Sequence, residues 1–275
     1  MKKNKSVFLS VPYILWMVAF TLIPLGVVAY YAITDPDTGA LTVRNLQELL
    51  VYLPELGKSV VYALISALIC LILGYPVAYY IAHRNETTQK FLYMLIMLPM
   101  CMSFLLRTLA WVGLLQDTGI INNLLESIGL HRVKLIRTPG AVILGMVYNY
   151  LPYMILPLYS TIVKIDGRLI EAAEDLGCTP TKVFTKVVLP LSVPGILSGI
   201  TMVFVPAVST FYISQKLGNP MDTVLIGDII ERLFKQANNP NLGAALSLVL
   251  MALVFICTGI MNRFGGNDEE GGVIV

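Results

Sequence analysis

What this 275-residue chain has least of is charge. Lys, Arg, Asp and Glu make up 13% of it, against about 25% in an ordinary soluble domain. With hydrophobic residues at 56%, so few charges cannot cover the apolar surface of a water-soluble fold, and lipid is the natural solvent. Paired cysteines are missing as well. Cys70, Cys101 and Cys257 fall in apolar runs and Cys178 in a polar loop, without the spacing of a disulfide framework, so they read as small apolar packers. A nucleotide-binding loop is absent too: Gly57-Lys58-Ser59 supplies the end of one, but Tyr52 stands where its first glycine must be. No cofactor is therefore expected on this chain. Nor do the apolar residues alternate with polar ones, as the strands of a membrane barrel would.

What is there is a set of long apolar runs, near 7–33, 59–82, 91–115, 139–163, 188–213 and 243–262. Each is near or above the roughly 20 residues that span a hydrocarbon core. Backbone groups in lipid must find partners within their own segment, so each run is expected to be a helix. The expectation is an all-α membrane protein, a single domain of six transmembrane helices over 1–275. Met1-Lys2-Lys3-Asn4-Lys5 resembles the basic start of a signal peptide, but the run behind it is too long and lacks a small-x-small cleavage site, so it reads as an uncleaved first span. Lys2, Lys3 and Lys5 and the Lys/Arg-dense 164–187 loop favour a cytoplasmic N-terminus, while Arg132, Lys134 and Arg137 oppose it.

Inside the six runs the only formal charge is Arg107. Two readings stand: a site in a transport pathway, or a side chain that snorkels to the interface from about 12 Å inside its span. Pro76, Pro99, Pro152, Pro157 and Pro206 loosen the helices they sit in, and the Pro152–Pro157 pair marks a candidate bend. Gly195 and Gly199 are a small-xxx-small pair that admits a close helix neighbour.

The loop at 83–90 is short and implies a tight antiparallel pair of spans. The loops at 34–58, 116–138 and 214–242 hold structured material. Ile120, Ile121, Leu124, Leu125 and Ile128 share a helical face that stops at Gly129, and Asp222 is a candidate cap for a helix carrying Val224, Leu225, Ile229, Ile230 and Leu233. Such helices are either packing over the outer mouth or a landing surface for a partner.

The segment 164–190 is the most informative. Asp166 caps a helix with Leu169, Ala172, Ala173 and Leu176 at i, i+3, i+4 and i+7, and Gly177 ends it where a left-handed residue is wanted. Thr179 caps a second helix with Pro180 at its first position; Val183, Phe184, Val187 and Val188 form its apolar side, and Leu189-Pro190 leads into the fifth span. Helices this short are marginal alone, so each must dock on something. Glu171, Glu174 and Asp175 make the polar face of the first helix acidic, the wrong sign for anionic lipid. A protein partner is the better inference.

Glu171-Ala172-Ala173, three residues, Gly177, nine residues, then Val187-x-Leu189-Pro190 resembles the EAA motif of binding-protein-dependent ABC import permeases, with Val187 in place of the motif's Ile. Leu73-Gly74-Tyr75-Pro76, Leu98-Pro99, Thr138-Pro139-Gly140, the stretch Tyr148 to Ser160 and Leu242-Gly243-Ala244-Ala245 are similar to the spermidine/putrescine permeases, specifically the first of their two paired membrane subunits. The resemblance implies a type I importer fold and a bacterial cell membrane location with both termini cytoplasmic. As partners it implies a second homologous permease, two ATPase subunits that hold ATP and Mg, and an extracytoplasmic polyamine-binding protein, with membrane lipid around the spans and no nucleic acid. It also implies that Glu171, Ala172, Ala173, Gly177, Leu189 and Pro190 belong to the ATPase-coupling loop.

A polycationic cargo wants carboxylates or aromatic faces. The spans lack Asp and Glu but hold Trp111, Tyr148, Tyr150, Tyr153, Tyr159, Phe204, Phe211 and Tyr212. Trp111, Tyr148, Tyr153, Phe204, Phe211 and Tyr212 are the candidate pathway residues, and interfacial packing is their other reading. Other small cationic or amphipathic cargo would suit the same residues. An ion-coupled secondary transporter would show more intramembrane ionisable groups and an internal repeat, and a membrane enzyme a polar catalytic cluster; neither is visible.

Overall fold

The computed structural model describes residues 11–35, 39–42, 44–235 and 239–265, so Lys2, Lys3 and Lys5 lie outside the described residues. In chain order the helices are α1 (Val11–Ile33), α2 (Arg44–Glu48), α3 (Leu53–Ala82), α4 (Glu86–Met97), α5 (Phe104–Leu115), α6 (Ile120–Ser127), α7 (Pro139–Ile162), α8 (Gly167–Asp175), α9 (Pro180–Leu191), α10 (Val193–Val208), α11 (Tyr212–Leu217), α12 (Ile226–Lys235) and α13 (Pro240–Gly265). Among the described residues the one β pairing is an isolated bridge between Thr34 and Leu41.

Among the described residues five helical stretches are long and apolar enough to cross a membrane: Val11–Ile33, Leu49–Ala82, Phe104–Ser127, Pro139–Ile162 and Pro240–Met261. The pair α9 and α10, bent by 62°, makes a sixth when its two helices are counted as one span. The expected continuous span at 91–115 is instead interrupted. Helix α4 ends at Met97, a 3-10 turn covers Leu98–Cys101, and α5 starts only at Phe104. Pro99 withholds the N–H that would continue the α ladder. The loop expected at 83–90 is shorter than its sequence suggests, because α4 already begins at Glu86 with Asn85 as its cap, Oδ1 accepting from Thr88 N at 3.3 Å.

Prolines also explain two widened turns. In α1 the π turn Val18–Leu22 precedes Pro24, and in α9 the π turn Phe184–Val188 precedes Pro190. In each case the residue before the proline donates five residues back, Ile23 to Val18 O and Leu189 to Phe184 O. The wider turn makes room for a ring that would otherwise press on the preceding carbonyls. Pro152 and Pro157 lie inside an unbroken α7.

The chain forms two compact units, residues up to Pro54 with Ile229–Leu253, and Glu55–Asp228 with residues from Val254. In the first, Ala32, Ala244 and Ala245 pack with Val28 and Leu248. Buried amides tie the end of α1: Asn45 Nδ2 donates to Ala32 O at 3.1 Å and Thr34 O at 2.9 Å, and Asn241 Nδ2 donates to Thr34 O at 2.6 Å. Close approach requires the small residues of 243–245, since a Cβ on Gly243 would meet the Phe234 ring at 3.0 Å.

In the second unit α7 is the central element, and its neighbours touch it through small residues. Gly74 of α3 meets Ile155 and Met154; Gly145 of α7 itself meets Leu217 and Ile213 of α11. The Gly195/Gly199 pair of α10 meets Thr161, Pro157 and Met154, and a Cβ at Gly195 would lie 2.6 Å from Thr161 Oγ1. That pair therefore packs within the chain.

The two loop helices differ from expectation in detail. Helix α6 ends at Gly129, whose φ is +82°. Asn122 pins it, accepting from Val133 N and donating to Gln116 O and Val133 O. That leaves Ile120, Leu124 and Ile128 exposed on its other side. Asp222 does not cap α12: it pairs with Asn219 in the preceding turn, while the buried Asp228 reaches back to accept from Leu225 N at 3.0 Å. The capping carboxylate sits inside the helix's first turn, where it meets the unsatisfied N–H groups directly.

Candidate functional site

Helix α8 is built by local rules at both ends. Asp166 Oδ1 accepts from Arg168 N at 3.0 Å. At the other end Gly177, at φ +78°, donates to Glu174 O at 2.8 Å, and Cys178 N donates to Ala173 O at 3.0 Å. These two bonds form a Schellman motif, which needs a residue in the left-handed region at its turn. Gly177 occupies that position, and no atom stands within 4 Å of where its Cβ would be. The glycine is required by backbone conformation and not by crowding.

Between these caps α8 buries none of its residues. Most of its apolar stripe is uncovered: Leu169 is exposed, Leu176 is 85% exposed, and Glu171 and Ala172 are exposed beside them, while Ile170 and Ala173 are half-buried, Ile170 facing a small cavity with Ile162, Val163 and Val188. A short capped helix that buries none of its residues fully and leaves Leu169, Ala172 and Leu176 uncovered is arranged to be covered by another molecule.

Helix α9 behaves differently. Thr179 stands at its cap position without a capping bond from its hydroxyl, yet the helix is anchored by packing. Val183 and Val188 are buried. Phe184 meets Tyr75 and Tyr79 of α3 edge-on, each with ring centroids 5.6 Å apart. A cavity of about 470 Å³ lies beside these rings, lined by Tyr75, Pro76, Tyr79, Tyr80, His83, Arg84 and Phe184. At the 62° bend, Ser192 is fully buried, donates to Leu189 O at 2.9 Å and shares a 2.8 Å hydrogen bond with the Tyr75 hydroxyl. Leu189 and Pro190 thus sit in the last turn before a bend fixed from both sides.

The aromatic residues separate into two groups. Trp111 of α5 meets Tyr148 of α7 at 5.3 Å, Phe104 meets Tyr212 at 6.3 Å, and Tyr150 meets Tyr153 at 6.4 Å. Tyr148, Tyr153 and Phe211 are exposed, and Trp111 and Tyr212 half-buried. Phe204, by contrast, is 2% exposed and belongs to the core. Phe211 and Tyr212 are not within the fifth span, because α10 ends at Val208 and Tyr212 opens α11.

Arg107 does not snorkel. It is 6% exposed, and its Nε and Nη1 are buried without a hydrogen-bond partner. Two buried polar side chains escaped the sequence argument. Asn149 in α7 donates to Gly145 O at 2.9 Å and leaves its Oδ1 unpartnered. Asp228 is buried at the start of α12. Asn149 carried a signal, since it is the one amide in the run 139–163, and so did Asp228, which stands between Val224-Leu225-Ile226-Gly227 and Ile229-Ile230.

Bilayer-length apolar helices joined by a capped, uncovered helix define an integral membrane component that works against other polypeptides. Comparison with known proteins gives its kind. The chain matches the family described as binding-protein-dependent transport system inner membrane component over residues 71–265. It is 35% identical over 260 residues to the spermidine/putrescine transport system permease protein PotB of Salmonella typhimurium (strain SL1344), covering 90% of each chain. To the Haemophilus influenzae protein of the same name it is 36% identical over 267 residues, covering 93% of each. In structure it resembles a chain of a bacterial ABC transporter involved in the import of the acidic polysaccharide alginate, with TM-score 0.81, 19% identity and 96% of both chains covered. The chain belongs to the family of binding-protein-dependent transport system inner membrane components, and it is an ABC importer permease subunit of type I fold.

Proposed function

We propose that this chain is the first of two paired permease subunits of a polyamine importer and forms half of the pathway for spermidine and putrescine. The uncovered α8 carries the coupling part of this proposal. Glu171, Ala172, Ala173 and Gly177 present it to a groove on a separate ATPase, which holds the ATP and Mg. Leu189 and Pro190 connect it, through the Ser192 bend, to α10, so closure of the ATPase turns α8 and α9 and rocks α10 against α7. Both termini are on the ATPase side. A loaded extracytoplasmic polyamine-binding protein docks on the opposite face, and each partner favours the outward state by its differential affinity for it. The names of the relatives support polyamine as cargo. Trp111, Tyr148, Tyr153, Phe211 and Tyr212 offer it aromatic faces, with Phe204 supporting them from the core.

Uptake of labelled spermidine into proteoliposomes carrying the whole complex tests this. Uptake should require this chain, the second permease, the ATPase and the loaded binding protein, should survive a protonophore, and should be competed by putrescine. Uptake that persists without the ATPase, or collapses with the protonophore, contradicts it.

A further inference from the structure

Helix α3 carries an apolar ridge that this chain leaves open. Leu68, Ile72, Pro76 and Tyr80 follow one another at i, i+4 spacing, and all four are exposed. From Leu68 to Tyr80 the ridge rises about 18 Å at 1.5 Å per residue, close to one half of a hydrocarbon core of about 30 Å. It ends on a cation. The Arg84 guanidinium, four residues beyond Tyr80 and just past the end of α3, lies 4.2 Å from the centroid of the Tyr80 ring. Among the described residues no carboxylate pairs with it, and Glu86, the nearest acid in sequence, is 3.6 Å from Lys90.

Pro76, Tyr80 and Arg84 are shared between this ridge and the cavity of about 470 Å³ beside α9, a volume in the range of ligand sites. Tyr75, Tyr79 and Phe184 give the cavity aromatic walls, and no acidic residue lines it. His83 stacks on Tyr79 at 4.1 Å and is held there by a 2.8 Å hydrogen bond from Nδ1 to Tyr79 O. Aromatic walls alone would also hold an ammonium group, but a guanidinium with no carboxylate beside it repels a polycation and attracts an anion. The fitting occupant has an apolar body and an anionic head.

Position identifies it. The span containing α3 ends at Ala82, so Arg84 stands at headgroup level. The side of the membrane rests on the function proposed above: Phe184 belongs to the same loop as α8, and an ATPase-facing α8 puts this end of α3 on the cytoplasmic side, where the leaflet is anionic. We propose that the ridge and the cavity form a site for an anionic phospholipid of the cytoplasmic leaflet. Its phosphate is held by the fork of Arg84 and an acyl chain lies along Tyr80, Pro76, Ile72 and Leu68. The site is built into the coupling machinery. Phe184 of α9 walls the cavity, Tyr75 shares its hydroxyl with Ser192 at the bend, and His83 also lines the small cavity that Ile170 of α8 faces. A bound lipid fills the space between α3 and the coupling loop, stiffens the joint through which α8 moves α10, and so raises the coupling of ATP hydrolysis to the loaded binding protein.

The test uses the whole complex in nanodiscs of phosphatidylcholine with or without phosphatidylglycerol. Hydrolysis of ATP stimulated by the loaded binding protein is measured, and native mass spectrometry of the complex released from the discs reads retained lipid. Phosphatidylglycerol should raise the stimulated rate several-fold and stay bound. Arg84→Glu should lose both effects with assembly and melting unchanged, because Arg84 is exposed. Lys90→Glu makes the same change of charge at another exposed position of this surface and should keep both. The proposal is overturned if phosphatidylglycerol neither binds nor stimulates, or if the two substitutions weaken its effects equally, since the attraction is then diffuse surface charge. It is equally overturned if glycerol phosphate added to phosphatidylcholine discs reproduces the stimulation, or if the lipid binds this chain alone but is lost from the complex, the ridge then being covered by the second permease. Absence of any stimulation by the binding protein, in either disc, would count against the proposed function, and lipid retention in the mass spectra still decides the site.

Discussion

Helices α7 and α8 are neighbours in sequence and opposites in environment. Twelve of the residues of α7 are buried and none of those of α8, although only 163–166 separate them. Both carry apolar residues at helical spacing. What differs is how each is held. Helix α7 is fixed by tertiary packing against glycines and small side chains, so its identity is set by what touches it. Helix α8 is fixed chiefly by its own two ends and leaves Leu169, Ala172 and Leu176 free. A helix meant to bind a partner and still keep its shape alone needs strong caps, because it has no packing to rely on.

That contrast can be broken at three places. The largest effect is expected where α10 presses on α7. Gly195→Leu places a side chain where even a Cβ would be 2.6 Å from Thr161 Oγ1, an overpacking that costs about 1–3 kcal/mol or more. The purified subunit should melt several degrees lower in detergent. Next is Gly177→Ala, which has space but forces an L residue to φ +78°, at about 1–2 kcal/mol. Its effect should be confined to the end of α8, seen as faster amide exchange at Gly177 and Cys178 positions with an unchanged melting temperature. The smallest is Asp166→Ala, which removes the bond to Arg168 N and about 1 kcal/mol of helix stability. Amide exchange at position 168 should quicken several-fold, again without a change in global melting. If either loop substitution lowers the melting temperature as Gly195→Leu does, α8 is part of the packed structure and the contrast fails.

Features set by a few neighbouring residues were legible in the sequence. The Asp166 cap, the helix stop at Gly129, the left-handed Gly177 and Pro180 at a helix start all follow from local chemistry, and they appear in the structure where spacing put them. The fit of the Gly195/Gly199 pair was legible as a small surface, though not which helix it would meet. What escaped depends on distant partners. The interruption at 98–103 is hidden in a run whose composition stays apolar throughout. Asp222 and Asp228 are both acceptable caps by position, and only the path of the chain into α12 decides for Asp228. Arg107 was placed between snorkelling and a pathway role because helical position gives depth along the span and not the direction of burial. Phe204 looked like its aromatic companions until packing placed it in the core. The uncovered face of α8 was legible in kind: its acidic polar side argued for a protein dock, and the structure leaves that face open.

The most direct test of a presented α8 is Ala172→Trp. Ala172 is exposed in a helix that buries nothing, so the indole has room in the free subunit and insertion and melting temperature should match wild type. Co-purification of the ATPase with the permease pair should fall by about tenfold or more, as for a blocked central contact of a small interface. Retention of the ATPase at wild-type levels, with transport intact, would contradict the account.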